Sequence, residues 1–130
     1  VVGINLTIGY SYEPRVTFRI SPDIGGPSAG LIFALAIYDM VTSGDLIADR
    51  SVAGTGTITG DGKVGPIGGI THKIYAAKEA GATVFMVPAE NCDEANSAHE
   101  DGLQLIKVEN LTGAVDALKT YSSGGEPPHC

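Results

Sequence analysis

A chain of 130 residues is one domain's worth, and 43% hydrophobic against 18% charged residues is the balance of a globular unit with a core, not of a disordered tail. The net charge of −7, with eight scattered basic residues and no basic stripe, argues against nucleic-acid binding, which needs clustered Lys and Arg to neutralise phosphates. The longest strongly apolar run, Leu31 to Ile37, is far too short to span a bilayer.

The opening residues, VVGINLTIGY, carry no basic n-region or cleavage site and read as a strand entered mid-protein, so the chain is expected to be part of something longer. Val16 to Ile20 (VTFRI) is β-branched and aromatic, hence a strand, and SPDIGGP follows as a loop. From about Pro27 to Thr42 the apolar content is nearly continuous, which predicts a core helix stopped by Gly44. Val52 to Ile58 is a Gly/Thr-rich strand, and TGDGKVG after it is a hairpin-like turn, because Asp61-Gly62 favours positive φ.

VGPIGG leads into a second helix at about Ile70 to Ala80, closed by Gly81. Thr83 to Pro88 is a buried strand and Leu103 to Val108 another. Asn110 caps a final amphipathic helix with Leu111, Val115 and Leu118 on one stripe. The closing β-α-β-α order predicts parallel pairing there, and the whole reads as an α/β domain with a mixed sheet over residues 1–122. Residues 123–130 read as a flexible Gly/Pro-rich tail. The two cysteines, Cys92 and Cys130, have no metal-ligand spacing. They are either free thiols or one disulfide tying the tail to the loop after Pro88; the disulfide is the expectation, and it suits a compartment outside the cytosol.

The candidate chemistry starts at Gly26-Pro27-Ser28-Ala29-Gly30. Proline is favoured in a helix's first turn, which places Ser28 there, among backbone N–H groups without intrahelical partners and at the positive end of the dipole. Ala29 and Gly30 are small enough to let a peptide backbone approach. Taken alone, the serine reads as an ordinary helix-start residue. A nucleophilic hydroxyl needs a base. His129 lies in the tail, His99 in the acidic stretch NCDEANSAHED, and His72 points away from its neighbour Lys73 on the second helix. A lysine serves if desolvation keeps it neutral. Lys73, with Ile70 before it and Ala76 and Ala77 after it on the same face, is the best placed of the lysines. Cys92, Asp93, Glu94, His99, Glu100 and Asp101 match no metal-ligand pattern and read as a solvated acidic loop, so no metal and no cofactor is expected.

Gly26-Pro27-Ser28-Ala29-Gly30, Gly54-Thr55-Gly56, Gly65-Pro66-Ile67-Gly68-Gly69-Ile70 with Lys73 three residues on, and the run from Ala80 to Asn91 together closely resemble the proteolytic domain of Lon proteases. The likeness covers roughly Arg15 to Ser122, with order and spacing in register. It implies the Lon proteolytic fold and a serine endopeptidase in which Ser28 is the nucleophile, Lys73 the general base, and Thr55 a supporting hydroxyl that helps hold the lysine. Pro27, Ala29 and Gly30 then border the oxyanion. The phrases Asp23 to Ser28 and Asn91 to Ala95 resemble the actinobacterial Lon-like type that lacks the ATPase module and carries a membrane anchor and a PDZ domain. That likeness implies ATP-independent action, an extracytoplasmic and membrane-tethered setting, peptide or unfolded protein as substrate, and a possible homo-oligomer. The chain holds no GxxxxGK[ST] phosphate loop. Asp23 stands near the acidic position of ATP-dependent members but is displaced by Gly25-Gly26, and reads as a solvated loop carboxylate. The alternative reading is a non-catalytic Lon-fold module serving binding or assembly. A penicillin-recognising hydrolase would need Ser-x-x-Lys on one helix, and Leu31 stands at that position.

Overall fold

The run Val84-Phe85-Met86-Val87-Pro88 has no polar side chain, so a strand made of it must be covered on both faces. In the computed structural model, which describes residues 26–42, 46 and 51–130, it is the fully buried central strand β4 (Val84–Pro88). It lies between β1 (Val52–Gly54) and β5 (Gln104–Val108), parallel to both. The register sets Gly54 beside Met86, and Pro88 beside Val108.

Alternation along the strands divides the core into two layers. Val84 and Met86, with Ile106 and Val108, pack against α1 (Gly30–Val41) and α4 (Leu111–Ser122) through Leu31, Leu35, Val115 and Leu118. Phe85 and Val87, with Leu103 and Leu105, pack against α2 (Ile70–Glu79) and α3 (Cys92–Asn96) through Ile70, Ile74 and Ala95. Each large apolar side chain buried this way contributes about 1.5–3 kcal/mol. The observed α/β sandwich agrees with the predicted fold class. Asn110 caps α4 as expected, its Oδ1 accepting from the Gly113 amide at 2.7 Å. Gly81, at φ 86°, follows α2 in the left-handed conformation that only glycine adopts without penalty.

Within the layers, three features differ from the sequence expectation. The predicted strand Val52 to Ile58 is broken: β1 ends at Gly54, and the chain resumes as β2 (Thr57–Ile58), paired antiparallel with β3 (Val64–Gly65) in a separate hairpin. At the break, the Gly56 amide donates to Ser28 O at 2.9 Å and the Leu31 amide to Gly56 O at 3.0 Å, so this backbone pairs with the start of α1 instead of the sheet. The helix itself begins with a 3₁₀ turn at Gly26–Ala29. Nor is α1 buried all round: Leu31, Ile32 and Leu35 face inward, whereas Ile37, Met40 and Val41 are exposed. The predicted strand at 16–20, the loop holding Asp23 and the stop at Gly44 lie outside the described residues, as does the Pro27 side chain.

The segment 123–130 has the composition of a loose tail but runs back along the open edge of β5. Lys107 N donates to Pro128 O at 2.9 Å, His129 bridges to Ile106, Pro127 is buried, and Cys130 is disulfide-bonded to Cys92 with a Cα–Cα distance of 5.0 Å. The added backbone satisfies an edge that would otherwise present unpaired amides.

The disulfide closes a sequence separation of 38 residues, for which loop-closure entropy amounts to about 4 kcal/mol. Cys130→Ser should therefore lower the urea-unfolding free energy by about 2–4 kcal/mol. The native, unreduced protein should titrate no free thiol; two reactive thiols would contradict the bridge.

Candidate active site

Ser28 sits in the 3₁₀ turn that precedes α1, and its carbonyl is held twice. Thr55 Oγ1 donates to it at 3.0 Å and the Gly56 amide at 2.9 Å. Thr55 is 1% exposed and is fixed in turn by its own amide, which donates to Met86 O of β4 at 3.2 Å. The turn is seated tightly against the hairpin. A Cβ on Gly30 would stand 2.9 Å from Ile58 Cγ2 and 3.1 Å from Ile58 N, so the missing side chain there admits β2 and not an incoming ligand. Ala29 is buried as well. The Leu31 amide, being bonded to Gly56 O, is committed to the fold and is not among the N–H groups open to a ligand.

Lys73 is carried on the first turn of α2. Ile70, Ile74 and Ala77 bury the inner face of that helix, and Ala76, counted with them in the sequence, is exposed. α2 starts without a side-chain cap, at Gly69 with φ 70°. The loop before it is tied down elsewhere: Asn91, 5% exposed, accepts from the Ile67 amide through Oδ1 at 2.9 Å and donates from Nδ2 to Ile67 O at 3.0 Å. Sequence reading attached no role to Asn91. An isolated Asn between a strand-ending proline and an acidic run has the composition of a loop, and its partners lie 24 residues away.

The structure brings Ser28, Thr55 and Lys73 together. Lys73 Nζ lies 3.2 Å from Ser28 Oγ and 3.3 Å from Thr55 Oγ1. The directions of these bonds are constrained. A carbonyl can only accept, so the Thr55 hydroxyl proton is committed to Ser28 O, and the Thr55 oxygen must accept from Lys73. One lysine N–H is thereby fixed on Thr55. In the neutral amine, the lone pair is then available to the Ser28 hydroxyl. Partial burial of Lys73 favours that neutral form, since desolvation lowers the pKa of the ammonium below its ordinary value. The chemistry open to such a pair is proton transfer from hydroxyl to amine as the hydroxyl oxygen attacks an electrophile.

The other titratable candidates stay away from this point. His72 and His99 are exposed, and His129 lies on the far edge of the sheet beside Ile106. Lys78 bonds the Asp101 carbonyl, and Lys119 lies over the Tyr38 ring. Cys92, engaged with Cys130, is not available as a ligand.

A family model described as the Lon protease (S16) C-terminal proteolytic domain matches residues 21–120. Lon protease 2 of Bacillus subtilis (strain 168) is 36% identical over 107 residues, 82% of this chain and 19% of the relative. Lon protease of Mycolicibacterium smegmatis is 33% identical over 104 residues, 80% of this chain and 13% of the relative. An archaeal Lon protease of Methanothermobacter thermautotrophicus is 34% identical over 104 residues, covering 78% and 16%. The chain therefore spans less than a fifth of the length of these relatives.

Because burial disfavours its cation, Lys73 should deprotonate before the solvated lysines as pH rises. An NMR titration of the lysine Cε resonances should place its inflection below 10.5, the value of a free lysine. The unfolded chain binds this proton more tightly, so folding stability should also rise with pH across the window between the two values. An inflection at or above that of the exposed lysines would contradict the desolvated setting.

Proposed function

The chain belongs to the family of the Lon protease (S16) C-terminal proteolytic domain, and on that premise we propose that it is a serine endopeptidase working through a Ser28–Lys73 dyad. The observation that carries the proposal is the 3.2 Å approach of Lys73 Nζ to Ser28 Oγ, with Thr55 within 3.3 Å of the same nitrogen. Neutral Lys73 takes the Ser28 proton as Oγ attacks a peptide carbonyl. The oxyanion forms beside Ser28 at the N-terminal end of α1, where the helix dipole favours negative charge. Protonated Lys73 delivers its proton to the leaving amine. Water, activated by the same amine, then hydrolyses the acyl-enzyme and returns Ser28. Thr55 positions the lysine by accepting one of its N–H groups.

Several further features belong to this proposal. Substrates are peptides or unfolded proteins. Action without ATP is supported by the likeness of Asp23 to Ser28 and Asn91 to Ala95 to the ATPase-lacking type. The same likeness supports a membrane anchor and a PDZ domain elsewhere in the protein, and assembly into a homo-oligomer. The Cys92–Cys130 disulfide supports an extracytoplasmic setting, where such bonds persist.

Ser28→Ala and Lys73→Ala should each lower hydrolysis of a fluorogenic peptide by roughly 10³-fold or more, with circular dichroism unchanged. A serine-directed phosphonofluoridate should add to Ser28 in the wild type only. Thr55→Val, which keeps the volume and removes the hydroxyl, should lower kcat by roughly 10- to 100-fold. Turnover that survives either dyad substitution would exclude the assignment. A folded wild type that neither labels nor cleaves would favour the assembly module.

A further inference from the structure

Two elements carry the dyad, and they are anchored very differently. The serine side is held by directional bonds: Thr55 Oγ1 and Gly56 N on Ser28 O, and Thr55 N on Met86 O. The lysine side is held by α2, whose inner face of Ile70, Ile74 and Ala77 packs through apolar side chains and whose last turn, at the opposite end from the entering loop, carries Lys78 on the Asp101 carbonyl. The apolar contacts fix which face turns inward, but they are non-directional and specify the position along the helix axis weakly. The loop that enters α2, Pro66 to Gly69, ends in two glycines with open space around them and a left-handed residue at the helix start. Among the described residues, its hydrogen bonds to another element are the two that Asn91 makes to Ile67.

Asn91 is well placed for such a role. It ends the 3₁₀ turn Ala89–Asn91 directly after β4, and the next residue is tied to Cys130 by the disulfide. β4 is the strand whose Met86 carbonyl also holds Thr55. The same buried strand therefore sets both halves of the site, one through Met86 and the other through Asn91.

Building on the dyad reading above, we propose that Asn91 is a positioning residue for catalysis. By pairing both edges of its amide with the backbone of Ile67, it fixes the start of α2 and so the reach of Lys73 Nζ to Ser28 Oγ. The contacts at stake, 3.2 and 3.3 Å, are already near the outer range of a hydrogen bond, and a displacement of about 1 Å costs on the order of 10²-fold in rate.

The test compares Asn91→Ala, which removes both bonds, with Asn91→Asp, which keeps the volume and the acceptor to the Ile67 amide but sets an oxygen against the Ile67 carbonyl. Peptide hydrolysis is measured per folded molecule, with the folded fraction taken from circular dichroism. Both variants should lose about 10²-fold in kcat with KM changed by less than about threefold, and the ascending, acid-side limb of kcat/KM, which follows deprotonation of the general base, should move to higher pH, toward that of a solvated lysine. A purely structural role would lower the melting temperature and leave kcat per folded molecule and the pH limb at wild-type values; that result overturns the proposal. Should Asn91→Ala fail to fold, Asn91→Asp decides alone. If neither folds, Asn91 is a residue of the fold only, and the proposal is likewise overturned. Wild-type turnover that persists in Lys73→Ala would overturn the dyad and with it the role of Asn91, whereas dyad variants that are inactive beside fully active Asn91 variants overturn this inference alone.

Discussion

The carbonyl of Ser28 is the point on which the site is assembled. A backbone oxygen at the start of a helix commonly accepts only helical bonds; here it accepts from the Thr55 hydroxyl and the Gly56 amide, which arrive from the end of a sheet strand. To deliver both donors, the strand that begins at Val52 must leave the sheet at Gly54, and the hairpin β2–β3 must swing under α1. Gly30 permits the resulting closeness, with Ile58 where a side chain would stand. The broken strand is thus a requirement of the serine's placement, and the Thr55 proton committed to that carbonyl also dictates how Thr55 meets Lys73.

β4 acts as the common reference for the rest. It is buried on both faces, paired on both edges, and continuous in register with β1 and β5. Thr55 hangs from its Met86 carbonyl, and Asn91 follows directly from its end. The two apolar layers on either side fix α1 and α2 at opposite faces of the sheet, so the dyad joins side chains from both layers past the end of the sheet. A lysine suits that geometry, because its long stem spans the distance while its amine stops in a partly desolvated place.

The same partial burial links packing to chemistry. Desolvation disfavours the ammonium and so makes the lone pair more available, while incomplete burial leaves the amine open to solvent. Lys73 is half-buried, its pKa lowered by desolvation, and Ser28 beside it is also half-buried. The docking of residues 123–130 on β5 and the Cys92–Cys130 bond support this from behind, since they brace the turn and short helix from which Asn91 reaches Ile67.

Much of this was legible in the sequence. The apolar run at Val84 to Pro88, the cap at Asn110, the stop at Gly81 and the β-α-β-α order specify their elements through local periodicity and backbone preference, which need no knowledge of distant contacts. The linked Gly-Pro-Ser, Gly-Thr-Gly and Gly-Pro-Ile-Gly-Gly motifs identified Ser28, Thr55 and Lys73 as a set. What the sequence could not settle was anything decided between segments far apart in the chain. Composition gave residues 123–130 as a tail, because the backbone bonds that dock it carry no signature in side-chain type. Continuous apolar content specified α1 but not which of its sides faces inward. Asn91 looked like a loop residue because its amide finds Ile67 only after the intervening helix α2 and strand β4 have folded. Local chemistry chose the residues; only the tertiary packing around β4 decided the ångström distances that set the Ser28 hydroxyl beside the Lys73 amine.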